Sequence, residues 1–113
     1  MSLQDTLLHN PRCSKSRGAL DLVGDAVPVR RYLDEPLSLG ELRELVQMLG
    51  VRPIEITRTG EERFKELGLS KESSDEEVLR AIAENPILLE RPILVRNGRA
   101  VVGRPVERVK ELL

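Results

Sequence analysis

The sequence of 113 residues predicts an α/β fold, in which a four-stranded mixed sheet carries helices on both faces. Two observations support this prediction. Short apolar runs alternate with stretches of helical periodicity in the first half of the chain, and an Asn-Gly dipeptide joins two apolar runs near the end. Strands joined by a helix are parallel with a right-handed crossover, whereas strands joined by a tight turn are antiparallel. The predicted sheet is therefore mixed.

The first strand and the first helix are predicted from the opening residues. An apolar run at about residues 4–8 ends at Asn10-Pro11, which indicates a buried strand followed by a turn. Apolar residues at helical spacing over residues 14–23 predict a helix, and Gly24 provides a stop signal directly after it.

A second strand and a second helix follow. Val27 and Val29 alternate with polar neighbours, and Pro28 favours an edge strand or a strand start. Ser38 and Glu41 form a capping box, which predicts the start of the helix. The apolar face of this helix consists of Leu42, Leu45, Val46 and Leu49, and Gly50 closes it.

The middle of the chain, about residues 55–86, is more polar and predicts a helical insert before the third strand. Residues 61–67 indicate a short helix. Ser74 and Glu77 form a second capping box, which begins a longer helix with the inward residues Val78, Leu79 and Ile82.

The end of the chain predicts a hairpin and a last helix. Asn97-Gly98 is a strong signal for a two-residue turn between strands. Pro105 suits the first position of a helix, whose predicted inward residues are Val106, Val109, Leu112 and Leu113. The order β-α-β-α, helical insert, β-β-α is the layout of a thioredoxin-like fold, and we expect a single domain over residues 1–113.

Composition and charge exclude several classes of protein. A hydrophobic fraction of 40% is too high for a disordered chain, and a net charge of −1 gives no overall attraction to nucleic acid or anionic lipid. No apolar run is long enough to span a membrane, and the first residues lack a signal-peptide pattern. A single cysteine fits a reducing compartment. We therefore expect a cytoplasmic monomer that binds neither nucleic acid nor membrane.

The stretch HNPRCSKSRGAL, residues 9–20, contains the only histidine and the only cysteine. Cys13 lies between the first predicted strand and the first predicted helix, where free N–H groups and the helix dipole stabilise an anion. A thiolate at such a position has a lowered pKa. The basic residues around it are Arg12, Lys15 and Arg17, and a protonated His9 would add to their positive potential.

The same loop is suited to bind an oxyanion beside the thiolate. Ser14 and Ser16 offer hydroxyl donors, and Arg17 offers a guanidinium group. The alternative interpretation of Cys13 is a small buried hydrophobic residue. One Cys and one His make a poor metal site, so we expect no metal. The GxxxxGK[ST] phosphate loop is absent, and the residues between Cys13 and Arg17 lack the glycines of a phosphatase thiol loop.

The motif HNPRCSKSR closely resembles the signature of the glutaredoxin-linked arsenate reductases, which have a thioredoxin-like fold. RTGEERFKELGL is similar to the insert region of that family, and RPILVRNGRAVVGRP is similar to its late strand pair. The resemblance implies that Cys13 is the nucleophile and that His9 helps to lower its pKa. It also implies that Arg58, Arg91 and Arg104 bind arsenate.

Two further implications concern the redox partner and the backbone. The resemblance implies that Pro92 is preceded by a cis peptide bond. Ser16 stands where dithiol relatives carry a second cysteine, so the thiol that resolves the intermediate is expected to come from glutathione and then glutaredoxin. No cofactor is then bound, and glutathione serves as co-substrate.

The expected function is therefore the reduction of arsenate to arsenite with electrons from glutathione and glutaredoxin. Two alternatives stay open. One is a monothiol glutathione-linked oxidoreductase acting on disulfides, which needs Cys13 but not the three arginines. The other is a non-enzymatic redox-related binding module, although the regulators of this fold that contact RNA polymerase usually carry a CxxC pair. For His9, a neutral imidazole that caps the strand end is the alternative to thiol activation.

Overall fold

The computed structural model describes residues 3–113 and contains one four-stranded sheet. Its strands are β1 (Thr6–His9), β2 (Val29–Arg31), β3 (Ile93–Arg96) and β4 (Arg99–Val102), in the order β2-β1-β3-β4. β1 runs parallel to β2 and antiparallel to β3, and β3 runs antiparallel to β4. The predicted mixed sheet is confirmed.

Helices connect and cover the strands in the predicted order. The α-helices are α1 (Ser14–Val23), α2 (Leu39–Leu49), α3 (Glu62–Glu66) and α4 (Asp75–Glu84). Three 3-10 segments lie at Pro53–Ile56, Pro86–Leu88 and Val106–Leu112. The last of these replaces the predicted C-terminal α-helix. Val109 is fully buried within it, but Leu113 is 47% exposed, so the prediction that Leu113 points inward is wrong.

Both predicted capping boxes are present, and they fix the starts of α2 and α4. The hydroxyl of Ser38 accepts from the N–H of Glu41, whose carboxylate accepts in return from the N–H of Ser38. Ser74 and Glu77 make the same reciprocal pair at the start of α4. Reciprocal caps satisfy donors that a helix start otherwise leaves free. Gly50 ends α2 in the left-handed region, with φ 68°.

Two hydrophobic clusters lie on opposite faces of the sheet. Because successive strand residues point to opposite faces, Leu7 and Leu94 join one cluster, whereas Leu8 and Ile93 join the other. The first cluster also contains residues from α1 and the C-terminal 3-10 segment. The second contains residues from α2, α3 and α4. This arrangement of helices on both faces is the predicted thioredoxin-like fold.

The edge strand β2 is short and is tied to α2 by a charged pair. Pro28 directly precedes β2, and Val29 is 42% exposed. The guanidinium of Arg30 donates to both carboxylate oxygens of Glu41, at 2.7 and 3.0 Å. β2 therefore begins at Val29, and Val27 is buried just before the strand rather than inside it.

The hairpin turn has the predicted geometry. Asn97 has φ 54° and Gly98 has φ 74°, as a two-residue turn with positive φ at both positions requires. None of the helices within residues 3–113 is long and apolar enough to cross a membrane.

We expect Gly103→Ala to destabilise the fold by about 1–3 kcal/mol, as overpacking of a filled site does. A Cβ at this position would lie 2.9 Å from Pro92 Cγ and 3.1 Å from Val109 Cγ1. Urea denaturation measures the loss. Gly40→Ala is the matched control, because the nearest atom to its added Cβ is 3.9 Å away and alanine favours a helix. Equal effects of the two substitutions would contradict the argument.

Candidate active site

A short turn after β1 brings Cys13 to the N-cap of α1. The N–H of Cys13 donates to the carbonyl of Asn10 at 3.0 Å, and its carbonyl accepts from the N–H of Arg17 at 3.0 Å. The side chain of Asn10 accepts from the N–H of Arg12, which closes the turn. Cys13 itself has extended backbone angles and is partly exposed. The thiol is therefore held at the positive end of a helix and is open to solvent.

The electrostatic surroundings favour the thiolate. Burial alone would raise the pKa of Cys13, but the backbone N–H groups of Ser16 and Lys15 and the guanidinium of Arg91 lower it. The balance leaves the pKa of the thiol below its ordinary value. Hydrogen bonds and positive charge that act on the ionised form are the usual means of activating a cysteine.

Two Arg-Pro pairs flank the β3–β4 hairpin at the end nearest to Cys13. The peptide bonds Arg91–Pro92 and Arg104–Pro105 are both cis. The resemblance predicts the first of these bonds, which is confirmed, and does not predict the second. Nη2 of Arg104 lies 4.0 Å from the sulfur of Cys13, and its Nε donates to the carbonyl of Arg91 at 2.9 Å.

A backbone bridge brings the third arginine to the same place. The N–H of Arg58 donates to the carbonyl of Leu88 at 2.7 Å, and the N–H of Glu90 donates to the carbonyl of Ile56 at 2.8 Å. These bonds join the insert to the segment that leads into β3. The guanidinium of Arg58 is held by the carboxylate of Glu61 at 2.9 Å.

Segment 57–61, Glu90, Arg91 and Arg104 line one open cleft of about 360 Å³. The three predicted arginines therefore share a single site, and Arg104 links that site to the sulfur of Cys13. Nε of Arg91 is buried, and no partner for it exists within residues 3–113. Three guanidinium groups that converge on one cleft can receive an anion with several oxygens.

His9 and Ser16 form a buried pair under the loop. Nδ1 of His9 lies 2.8 Å from Oγ of Ser16, which also accepts from the N–H of Asn10 at 2.9 Å. Burial lowers the pKa of His9, the charge of Arg31 lowers it further, and a hydrogen bond with Ser16 opposes the shift. Near neutral pH the imidazole is therefore uncharged. It acts on the loop through Ser16, and a role in tuning the thiol stays a prediction.

The other predicted loop residues lie outside the arginine cleft. The hydroxyl of Ser16 faces His9, although its backbone N–H faces the thiol. Ser14 is exposed in the first turn of α1. Nη1 of Arg17 donates to the carbonyl of Pro11 at 3.0 Å. Oxyanion binding by Ser14, Ser16 and Arg17 stays a prediction.

Two residues at the site are not predicted from the sequence. Tyr32 follows β2 directly and is 1% exposed, and its buried hydroxyl is close enough to the side chain of Asn10 for that group to act on its pKa. Burial raises its pKa, so the hydroxyl keeps its proton. Glu90 precedes Arg91 and places a carboxylate in the cleft. Tyr32 is the only tyrosine and follows a predicted parallel strand, so the sequence could have indicated it as a site residue. Nothing in the sequence distinguishes Glu90 from the other acidic residues.

We expect the His9 imidazole to titrate below its ordinary value of about 6.5. The unfolded chain then takes up the proton first as pH falls, so the free energy of unfolding decreases from pH about 7 towards the folded pKa. An NMR titration of this single imidazole and urea denaturation across the same window measure both effects. His9→Gln serves as control and removes the decrease in this window. A midpoint at or above the ordinary value would contradict the prediction.

Within the part of the chain that is described, no group of three or more His, Cys, Asp or Glu side chains is arranged to hold a metal ion. The expectation of no metal and no bound cofactor stays a prediction.

Comparison with known proteins places this geometry in a family. The ArsC family profile matches residues 8–112. An arsenate reductase of Neisseria meningitidis serogroup A is 46% identical over 112 residues, which cover 95% of this chain and 96% of the relative. An arsenate reductase of Haemophilus influenzae is 38% identical over 112 residues, with coverage of 95% and 97%. The solved structure of an arsenate reductase from Vibrio cholerae is 43% identical, with a TM-score of 0.89 and coverage of 100% of this chain and 98% of that chain. The family profile and the relatives agree with the observed fold and site, so this chain belongs to the ArsC family.

Proposed function

We propose that this chain reduces arsenate to arsenite through the single nucleophile Cys13, with electrons from glutathione and glutaredoxin. The supporting observation is the position of the Cys13 sulfur. It lies 4.0 Å from a guanidinium nitrogen of Arg104, at the edge of a cleft that also contains Arg58 and Arg91. The family relatives that are named arsenate reductases support the same substrate.

Arsenate is a tetrahedral anion with several oxygens, and guanidinium groups bind such anions through paired N–H donors. In the proposal, Arg91 and Arg104 hold the oxygens next to the sulfur, and Arg58 closes the far side of the cleft. Ser14 and Arg17 lie in the first turn of α1, where in the proposal they contribute a hydroxyl and positive potential at the entrance.

The first step joins sulfur to arsenic. The thiolate of Cys13 forms a bond to arsenic, and one arsenate oxygen leaves as water after taking up protons. A glutathione thiol then attacks the Cys13 sulfur and gives up its proton. The sulfur–arsenic bond breaks, and its electron pair stays on arsenic, which passes from As(V) to As(III) and leaves as arsenite. The two sulfurs together lose two electrons and form a mixed disulfide.

The last step needs a thiol from outside the chain. Cys13 is the only cysteine, and position 16 carries a hydroxyl that is fully buried against His9. A glutaredoxin thiolate therefore attacks the glutathione sulfur of the mixed disulfide and releases Cys13 as a thiolate. Reduced glutathione is abundant in a reducing compartment, so we propose a cytoplasmic location. We propose in addition that the chain works as a monomer.

A coupled assay tests the proposal. NADPH oxidation is followed with the protein, arsenate, glutathione, glutaredoxin and glutathione reductase, and each component is left out in turn. We expect a rate that needs every component. A folded protein that gives no arsenate-dependent rate would reject the proposal. A rate that is independent of arsenate but responds to a small disulfide, and that survives Arg104→Ala, would favour the monothiol disulfide oxidoreductase instead.

A further inference from the structure

We propose that Glu90 is a specificity-determining residue, whose carboxylate accepts a hydrogen bond from the proton of hydrogen arsenate and thereby disfavours sulfate. The inference rests on the proposed function, since it concerns the anion that the arginine cleft receives. Glu90 is an acidic residue in a cleft for which the sequence predicts only arginines as ligands. The inference predicts that the protein selects protonated tetrahedral oxyanions over unprotonated ones of equal charge.

The contacts of Glu90 leave one carboxylate oxygen available. Oε1 accepts from the N–H of Arg91 at 3.0 Å and lies 3.3 Å from Nε of Arg104. Nη1 of Arg91 is 3.8 Å from the same oxygen. Among the hydrogen bonds within residues 3–113, the one that this carboxylate accepts goes to Oε1, and none goes to Oε2. The side chain is 26% exposed and lines the cleft, so Oε2 is an acceptor that the protein does not use.

A carboxylate among the arginines lowers the affinity of the cleft for any anion. Its negative charge lies between Arg91 and Arg104, the two arginines that act on Cys13. The repulsion is offset only by a ligand that brings a donor of its own. A protonated oxyanion brings an O–H group, and a hydrogen bond from such a group to a carboxylate is among the stronger kinds.

Hydrogen arsenate and sulfate share charge and tetrahedral shape but differ in that donor, and hydrogen phosphate, which is close to sulfate in size, carries the same donor. At about pH 8 hydrogen arsenate and sulfate are both tetrahedral dianions. Sulfate presents only acceptors to Oε2, whereas hydrogen arsenate presents one O–H. Net charge and shape therefore cannot separate the two ligands, but the carboxylate can. One charge-assisted hydrogen bond is enough for about a tenfold preference or more.

A purely structural role for Glu90 predicts a different result. If the carboxylate only holds Arg91 and Arg104 in place, its loss weakens the binding of every tetrahedral anion by a similar factor. The preference between two anions then stays constant. The ratio of the two affinities, rather than either affinity alone, separates the two roles.

The experiment measures protection of the Cys13 thiol. Alkylation by iodoacetamide is followed at about pH 8, a condition under which the lowered thiol pKa keeps the sulfur reactive. Sodium arsenate, sodium phosphate and sodium sulfate are titrated separately, with ionic strength held constant. Phosphate keeps a proton like arsenate but is not reduced by thiols, so it reports binding alone.

In the unaltered protein we expect half-protection by arsenate and by phosphate at concentrations at least about tenfold below that of sulfate. Glu90→Gln places an amide donor next to the ligand, so the preference should shrink to about threefold or less. Glu90→Asp is the matched control, because it keeps a carboxylate and should keep the preference for the protonated ligands. Thermal melting of each variant verifies that it is folded.

Three outcomes decide the matter. An unaltered protein without a preference over sulfate overturns the inference, whatever the variants do. A preference that is the same in Glu90→Gln also overturns it, while protection by arsenate leaves the proposed function standing. If no oxyanion protects the thiol of the unaltered protein, the proposed function fails first and the inference fails with it.

Discussion

Cys13→Ser is expected to reduce kcat/KM for arsenate reduction by at least about 10³-fold, to the background of the assay without enzyme. Sulfur is both the group that bonds to arsenic and one of the two atoms that supply electrons. A serine oxygen is a poor nucleophile without a base, and it cannot form a disulfide with glutathione. The coupled NADPH assay measures the loss, and mass spectrometry of the oxidised protein checks that the glutathione adduct is absent.

The same substitution should leave the fold intact or slightly more stable. Cys13 occupies the N-cap of α1, where the N–H groups of Ser16 and Lys15 act on the sulfur without a side-chain cap hydrogen bond of ordinary geometry. Serine is among the favoured N-cap residues, and such a cap contributes about 0.5–2 kcal/mol. Thermal melting therefore provides the control, since inactivity through unfolding would appear as a lower melting temperature. More than a trace of arsenate-dependent activity in a stable variant would show that Cys13 is not the nucleophile.

Arg91→Ala is expected to reduce kcat/KM by about 10²–10³-fold, the usual cost of losing a donor that stabilises a developing charge. Two effects combine in this loss. The guanidinium lowers the pKa of the Cys13 thiol, and it supplies donors to the cleft. Arg99→Ala is the matched control, because Arg99 is an exposed arginine at the opposite end of the hairpin. It should leave the rate unchanged.

The pH dependence separates the two effects of Arg91. Without its positive charge the thiol pKa rises, so the variant reaches half of its maximal alkylation rate at a higher pH than the unaltered protein. The part of the rate loss that comes from weaker ionisation of the thiol is therefore largest at low pH, and it disappears above the thiol pKa of the variant. The deficit from oxyanion binding persists at high pH. Arg91→Lys restores charge without the planar fork, and should recover the thiol profile better than the arsenate rate.

An unchanged alkylation profile in Arg91→Ala would contradict the electrostatic part of this argument. An unchanged KM for arsenate would contradict the binding part. Circular dichroism of each variant accompanies both measurements, because the side chain of Arg91 is only 15% exposed and its removal leaves space beside Glu90.

The elements with local signals were predictable from the sequence. The capping boxes at Ser38 and Ser74 give the starts of α2 and α4, and Asn97-Gly98 gives the hairpin. Reciprocal side-chain caps and turns with positive φ depend only on residues that are close in sequence. A short sequence motif is therefore enough to predict them. The C-terminal segment has a weaker pattern, and it lies against α1 and β4 as a 3-10 segment instead of the predicted α-helix.

The site was predictable in its residue types but not in its arrangement. Cys13, Arg91 and Arg104 stand next to recognisable strand and helix boundaries. The approach of Arg58 depends on hydrogen bonds between stretches that are distant in sequence, and the inward turn of the Ser16 hydroxyl depends on the packing of His9. Glu90 is one of many acidic residues, and only the folded cleft reveals which cations surround it.

The bridge between Ile56, Arg58, Leu88 and Glu90 has a consequence for how the protein tolerates change. Main-chain hydrogen bonds set the distance between the segment that carries Arg58 and the segment that carries Glu90. That distance therefore does not depend on the exposed side chains of the insert. Mutational drift at those exposed positions can thus proceed without disturbing catalysis.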